Sequence, residues 1–390
     1  MHLSLQVIAW LVALTWVIRV WDAHLALPKI PNLLLPEYDL MPFGRPTLTV
    51  IVPARNEEAD VRGCLESLLQ QDYPDLRIIA VNDRSTDSTG ELMDALAALH
   101  PEALSVIHVT NLPAGWLGKT HAMAKAAAQA ETDFLLFTDA DILFRADSLR
   151  RALASAIATK ADHLVLAPTT IIHRWDEAAL LSFFQIFGLW AARPWKVADP
   201  ESRDAIGIGA FNMIRTSAYR QIGGFESFPM EIVEDLGLAR RVKWAGLAQR
   251  MVFGRGMVRV HWAAGVPGLI SVMTKNIFSA FNFHATLLLG ACGWLALFCV
   301  VPFFVVFSRV VSLPATITLA AMAYGYMLMG RPSGLSAWNV LLAPFAGLLF
   351  IYALCQSMVI TLWQRGVIWR GTFYSLAELR KHTVPLTRRK

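Results

Sequence analysis

The stretch Phe134-Leu-Leu-Phe-Thr-Asp-Ala-Asp141 reads as a short buried strand that ends on two carboxylates. Four apolar or aromatic residues in a row are what a parallel strand covered on both faces requires. Asp139 and Asp141 are two apart, so in extended chain both side chains point to the same side. Two carboxylates on one side repel each other unless a cation lies between them. Paired oxygen ligands suit a hard divalent ion such as Mg²⁺ or Mn²⁺, which usually shares its shell with substrate phosphates. The plain alternative is a strand followed by an Asx turn, with Asp141 capping the next helix. The rest of the chain decides between them.

Upstream of this stretch the texture alternates between strand and helix. Thr47-Leu-Thr-Val-Ile-Val52 reads as a strand ended by Pro53, and Glu57 to Gln70 has helical apolar spacing (Val61, Leu65, Leu68, Leu69). Arg77 to Val81 is the next strand and runs into Asn82-Asp83-Arg-Ser-Thr-Asp87. Ser88 to Leu99 reads as helix, Leu104 to Val109 as strand, and Lys119 to Ala130 as Ala-rich helix. Downstream come a helix at Asp147 to Thr159 and a strand at His163 to Ala167. This β-α-β alternation predicts an α/β fold with a doubly wound, mostly parallel sheet. In such sheets ligands bind beyond the carboxyl ends of the strands. Pro53 to Glu57, Asn82-Asp83 and Asp139 to Asp141 all fall at strand ends, so three polar clusters converge on one edge.

Beyond residue 167 the pattern loosens. Glu177 to Trp190 is apolar, with Phe183, Phe184 and Phe187, and suits either a core helix or one at a membrane interface. Gly207-Ile-Gly-Ala-Phe-Asn212 is a small-residue strand or loop, followed by a helix at Thr216 to Ile222. Glu231-Ile-Val-Glu-Asp235 opens a helix reaching Trp244, with acids in its first turn and Arg240, Arg241 and Lys243 in its last.

Composition adds a membrane. Of 390 residues 55% are hydrophobic and only 17% charged, against about 25% charged in average soluble domains. Residues 1–22 are read as a transmembrane anchor, since the apolar run from Leu3 to Ile18 lacks the basic start and the cleavage site of a signal peptide. Five prolines (Pro28, Pro31, Pro36, Pro42, Pro46) make residues 23–46 a linker along the membrane surface. Residues 47–265 form the catalytic domain and 266–284 an interfacial segment. Residues 285–364 supply two to three transmembrane helices, and 365–390 a basic tail. Three spans after a cytosolic domain would put that tail outside, against the positive-inside rule. An even number would resolve this, and the segment with Pro302 and the short Leu313 to Met329 are the suspects for a re-entrant or interfacial course. The net charge of +5 suits anionic lipid headgroups or phosphate-bearing substrates. No Lys/Arg run is interleaved with aromatics, which argues against nucleic acid as a partner. The four cysteines lack metal-ligand spacing, and a disulfide framework is not expected. Nothing in the sequence specifies an oligomeric state.

Three acidic stations follow in order: Asp83, Asp139 with Asp141, and Glu234 with Asp235. At these residues the chain resembles a known family. Pro53-Ala-Arg-Asn-Glu57, Asn82 to Asp87, Thr138-Asp-Ala-Asp141 and Glu234-Asp235 are similar to the motifs of family 2 glycosyltransferases with the GT-A fold. Gly115-Trp-Leu-Gly-Lys119 and Val367-Ile-Trp-Arg-Gly-Thr-Phe-Tyr374 narrow the likeness to membrane-bound members that glycosylate lipids, including hopene-associated and ceramide glucosyltransferase-like enzymes. The resemblance covers Thr47 to Trp262 well and the membrane part only in outline.

The resemblance implies roles. Pro53, Ala54, Asn56, Glu57 and Asp83 would line the nucleotide end of the donor pocket, and Lys119 and Asp139 would approach the diphosphate or the sugar. Asp141, supported by Asp139, would ligate Mg²⁺ or Mn²⁺. Asp235 would be the base with Glu234 as neighbour, and adjacent carboxylates raise one another's proton affinity. Gly209, Ala210, Phe211 and Trp262 would form the acceptor side. Each acid has a structural alternative as an Asx turn or a helix-dipole residue. The chain departs from processive and ceramide-type relatives in lacking their Gln/Arg-x-x-Arg-Trp motif, which favours a single transfer over polymer synthesis. The implied activity is metal-dependent, inverting transfer of one sugar from a nucleotide sugar, UDP-linked by expectation, to a membrane lipid hydroxyl. The implied location is the cell (inner) membrane, with the catalytic domain in the cytoplasm. A polyprenyl-phosphate sugar synthase keeps the fold and changes the acceptor. A nucleotide-binding transport or scaffold protein is the rival from another class, but the three C-terminal segments carry none of the intramembrane charges that mark transport paths. A nucleotidyltransferase would need a basic glycine-rich triphosphate loop, and Pro53 to Glu57 is not one.

Overall fold

The central strand Leu48–Ala54 is buried along its whole length, as a strand with helices on both faces must be. In the computed structural model, which describes residues 2–383, it is β1 of a mixed sheet. Chain order continues with β2 (Leu76–Asp83), β3 (Leu104–Val109), β4 (Phe134–Phe137), β5 (Ile142–Phe144), β6 (His163–Leu166) and β7 (Thr169–Thr170). The last strands of this part are β8 (Asn212–Arg215), β9 (Gln249–Val252) and β10 (Val258–Val260). Seven strands pair in the order β3-β2-β1-β4-β8-β6-β9, and β8 alone runs antiparallel to its neighbours. A smaller sheet has the order β5-β10-β7. The expected α/β fold, a GT-A doubly wound and mostly parallel sheet, is what forms. Alternate residues of β1 enter opposite layers: Leu48, Val50 and Val52 pack with Cys64, Leu65 and Leu68, whereas Ile51 packs with Met123, Leu135 and Phe137. From β1 the chain steps to β2 and β3 on one side and then returns to β4 on the other. The switch point, where such folds bind ligands, therefore lies between the carboxyl ends of β1 and β4.

By its contacts the chain forms two compact units. One joins Ile30–Ile171, Lys196–His261 and the chain from Arg370 onward; the other joins Met1–Lys29, Ile172–Trp195 and Trp262–Trp369. The stretch 47–265 expected as one catalytic domain is thus interrupted by the apolar helix Trp175–Ala191. Residues 30–46 also differ from a surface linker. Leu33 is fully buried, its N–H bonds the carbonyl of Phe253, and Tyr73 donates to the carbonyl of Pro46. The prolines stop regular structure there, but Leu33 and Tyr38 supply enough apolar surface to dock the segment.

The second unit is helical. Four of its helical segments are long and apolar enough to cross a membrane: His2–Lys29, Ala285–Val305, Ser312–Ser333 and Ala337–Gln364. The first helix and Ser312–Ser333 run parallel, tied by Gln6 to the carbonyl of Val310 and by Tyr324 to His24 (2.7 Å). Trp16, Trp190 and Trp294 stack edge-on in one cluster, with ring centres 4.9–5.0 Å apart, and the Arg19 guanidinium lies over Trp190. A π-turn at Ala296–Val300 interrupts the helix just before Pro302, whose missing N–H breaks the regular ladder. Gly265–Ala280, in the stretch expected at the interface, is helical as well.

Candidate active site

Two loops at the carboxyl ends of β1 and β2 are locked to each other. Asn56 and Arg84 both sit in left-handed backbone (φ 54° and 58°), which turns the chain sharply off the sheet. The side-chain carbonyl of Asn56 accepts from the N–H of Thr86 (2.8 Å), and its own N–H donates to Ser85 Oγ (3.0 Å). The N–H of Glu57 donates to Thr89 Oγ1 (2.8 Å). Asn56 thus joins the two loops through its side-chain oxygen and its backbone N–H, while Pro53 and Ala54 are the buried last residues of β1. Asp83 is buried, and both its oxygens accept from Arg84, at 2.8 and 3.0 Å. A Cβ on Gly118 would sit 2.2 Å from Asp83 Oδ2, so the helix bearing Lys119 can start here only on glycine.

That helix, Gly118–Ala127, aims Lys119 at the carboxylates. Its Nζ bridges Asp139 Oδ1 (2.5 Å) and Glu234 Oε1 (2.6 Å). Burial works against the lysine's charge, but Asp139 and then Glu234 more than compensate and hold its pKa above the usual lysine range. Burial pushes Glu234 up to about 7 despite the ammonium beside it. Asp235 opens the helix Glu234–Trp244; one oxygen accepts from the N–H of Leu236 (2.7 Å), and burial raises its pKa. Lys119, Thr138, Gly209, Asn212, Glu234 and Asp235 line one small cavity.

Asp141 follows β4. Its Oδ1 is buried without a partner, and burial, then the charges of Asp139 and Glu57, push the carboxyl up to about 7. A buried, unpartnered carboxylate oxygen raised by neighbouring acids is the environment that a divalent cation relieves. Among the described residues no group of three or more His, Cys, Asp or Glu forms a cage, so most of a cation's shell would have to come from the donor's phosphates and water.

The loop before β8 lies against these acids. A Cβ on Gly209 would come within 2.7 Å of Asp139 Oδ2, and one on Gly207 within 1.9 Å of the Asp235 carbonyl. The Ala210 carbonyl accepts from Thr138 Oγ1 (2.8 Å). Phe211 is fully buried beside Phe144, so its ring belongs to the core and only its backbone can face an acceptor. Trp262 belongs to the helical unit, with its ring 5.1 Å from Phe184. Behind the loop is a network that sequence reasoning missed. The buried His163 donates from Nε2 to Asn212 Oδ1 and accepts at Nδ1 from Gln249 Nε2 (2.7 Å). Gln249 in turn binds both backbone groups of Ile206. Arg55, Arg84 and Arg370 beside the donor loops were missed as well. All three stand inside motifs quoted above, but those motifs gave no spatial address.

A lysine among carboxylates and a paired acid at a helix start thus meet near the switch point of the sheet. Over residues 49–223 the chain matches the model of the family described as glycosyl transferase family 2. It is 28% identical over 200 residues to a 4,4'-diaponeurosporenoate glycosyltransferase of Staphylococcus aureus (strain MRSA252), covering 50% of this chain and 51% of that protein. The protein of the same name from strain bovine RF122 / ET3-1 is 27% identical over 201 residues. The chain thus spans about half the length of the curated relatives it matches. Among solved structures, the mannosyltransferase PcManGT from Pyrobaculum calidifontis, in complex with GDP-Man and Mn²⁺, superposes with a TM-score of 0.55 at 19% identity. That match covers 92% of this chain and 99% of the other, and it is a likeness of fold.

Proposed function

We propose that this protein transfers one sugar, with inversion, from a nucleotide-sugar donor (a UDP-sugar) to the hydroxyl of a membrane lipid. The observation that carries the reading is the convergence of Lys119, Glu234 and Asp235 on one cavity beside the switch point, with Asp139 ion-paired to the same lysine. Pro53 to Glu57 and Asp83 hold the nucleotide, and Gly118 keeps the approach to Asp83 open. Lys119 carries the positive charge that the diphosphate meets, and Asp139 lies beside it toward the sugar. Asp235, with one oxygen fixed by Leu236, takes the acceptor's proton on the other. The acceptor oxygen attacks the anomeric carbon as the bond to the diphosphate breaks, and the nucleoside diphosphate leaves with the electron pair. Glu234 is held by Lys119, while burial raises the proton affinity of Asp235 against the pull of the same lysine and Asp139 adds to the rise. A divalent cation at Asp141, with Asp139 in support, would neutralise the leaving diphosphate.

The acceptor class draws on three observations. Four helices suit a membrane, the relatives' names specify an apolar carotenoid acid, and the chain's late motif resembles hopene-associated enzymes. We place the protein in the cell membrane as a multi-pass chain with its catalytic unit in the cytoplasm, where nucleotide sugars are. Arg370 belongs to the catalytic unit, which supports a tail on the same side as that unit. The stretch from Trp262 to Trp369 then crosses an even number of times, so one of its three apolar helices does not complete a crossing. Incubating membranes with labelled UDP-sugars and lipid extracts, followed by mild acid, tests the reading. A labelled lipid stable to mild acid is expected, whereas an acid-labile product would identify a polyprenyl phosphate as acceptor. No transfer from any nucleotide sugar would refute the reading.

A further inference from the structure

After the last apolar helix the chain rejoins the catalytic unit at Arg370. This residue turns in left-handed backbone (φ 47°), followed by Gly371 (φ 77°), which aims its side chain back at the donor loop. One guanidinium nitrogen donates to the carbonyl of Arg55 and the other to Glu57 Oε1. The contact is reciprocal, because Arg55 Nη1 donates to Thr372 Oγ1 (3.3 Å). Tyr374 is buried and hydrogen-bonds Arg84, the residue that clamps Asp83. Residues 370–374 therefore touch both loops assigned to the nucleotide. Three guanidiniums (Arg55, Arg84, Arg370) gather around Glu57 and Asp83, and Arg84 and Arg370 both act against the charge on Arg55. The Nε of Arg55 is buried with no partner. Clustered guanidiniums and an orphaned buried donor at one place call for an anionic, oxygen-rich ligand.

Resting on the glycosyltransferase reading above, we propose that residues 370–374 complete the donor site. Arg370 is the positioning residue that holds the Arg55–Glu57 loop in its nucleotide-binding form, and the unpartnered Arg55 Nε–H is donated to a nucleoside diphosphate. Two further consequences follow from the contacts. Burial raises the proton affinity of Glu57, and the Arg370 guanidinium beside it works against that rise. The donor site also cannot assemble until the chain has passed through the apolar helices and returned.

The test uses the full chain purified in detergent. Affinity for UDP alone is measured by calorimetry, and steady-state kinetics are run on the UDP-sugar that the wild type turns over. Arg370→Ala loses two charge-assisted hydrogen bonds on a half-exposed group, so about a tenfold weaker UDP affinity and a matching rise in donor KM are expected. Its kcat and acceptor KM should stay within about twofold, a split that a general loss of folding would not give. Arg370→Lys keeps the charge without the fork, should recover part of the donor affinity, and serves if the alanine variant fails to fold. Lys381→Ala, an exposed charge in the same tail, should match the wild type. Wild-type UDP affinity and donor KM in both Arg370 variants would overturn the inference. A wild-type chain that binds no UDP and uses no nucleotide sugar would instead overturn the reading on which it rests.

Discussion

Replacing Lys119 by methionine keeps the length of the side chain and removes the cation between Asp139 and Glu234. The two carboxylates are then left within about 5 Å of each other, as their separate distances to Nζ require. Two unit charges at that separation repel by about 3 kcal/mol at an effective dielectric of 20. Asp139 is 37% exposed, so solvent reduces this to about 2 kcal/mol. The variant escapes part of the cost by binding a proton on Glu234, which burial already pushes up to about 7. An acid whose folded pKa is raised costs stability above that pKa and stops costing it as pH falls below. Lys119→Met should therefore melt several degrees below the wild type at pH 8 and approach it at pH 5, read by thermal unfolding in detergent. Turnover should fall on the order of 100-fold, because the diphosphate loses its fixed cation. Equal melting at pH 8, with no convergence in acid, would refute the lysine bridge and its role in setting the charge of the base pair.

Other consequences can be checked alongside. Gly207→Ala would push a methyl within 1.9 Å of the Asp235 carbonyl, so the loop or the base must move, and kcat should drop at least tenfold. His163 binds its proton at about 4 when folded, because it is buried, and at about 6.5 when unfolded. Its contribution is full above pH 6.5 and about 3 kcal/mol is lost as pH falls to 4. His163→Gln should flatten the fall in melting temperature between pH 6.5 and 4. Asp141→Ala should abolish the stabilisation of the chain by UDP with Mn²⁺ over UDP alone in thermal-shift measurements. If the added metal still stabilises that variant, Asp141 is not the ligand.

The sheet was legible because its central strands β1 and β4 are buried along their whole length, so Thr47 to Val52 and Phe134 to Phe137 announce themselves by apolar runs. Shorter strands such as Ile142–Phe144 and Val258–Val260 carry too few residues for a period to emerge. The carboxylates could be read as stations along the chain, since strand ends in such folds point one way. Their bonding could not. That Lys119 joins Asp139 to Glu234 depends on how Gly118 and Gly209 let three segments approach, which no spacing encodes. That Asn56 also clasps two loops together is likewise invisible in its motif. Arg370 lies more than three hundred residues from Glu57, and only the folded chain brings them together. The docking of residues 30–46 was hidden by their prolines, which signal irregular structure but not exposure.

The central claim is that Asp235 takes a proton from a lipid hydroxyl as the sugar is transferred. Replacing it with asparagine keeps the shape and the contact with Leu236 while removing the base. Transfer of labelled sugar into the lipid phase, measured for wild type and Asp235→Asn with UDP affinity followed in parallel, tests this directly. The account predicts a loss of about a thousandfold in kcat with UDP affinity unchanged. An Asn variant that transfers within a few fold of the wild type would contradict it, and would point to an acceptor, such as a carboxylate, that needs no base.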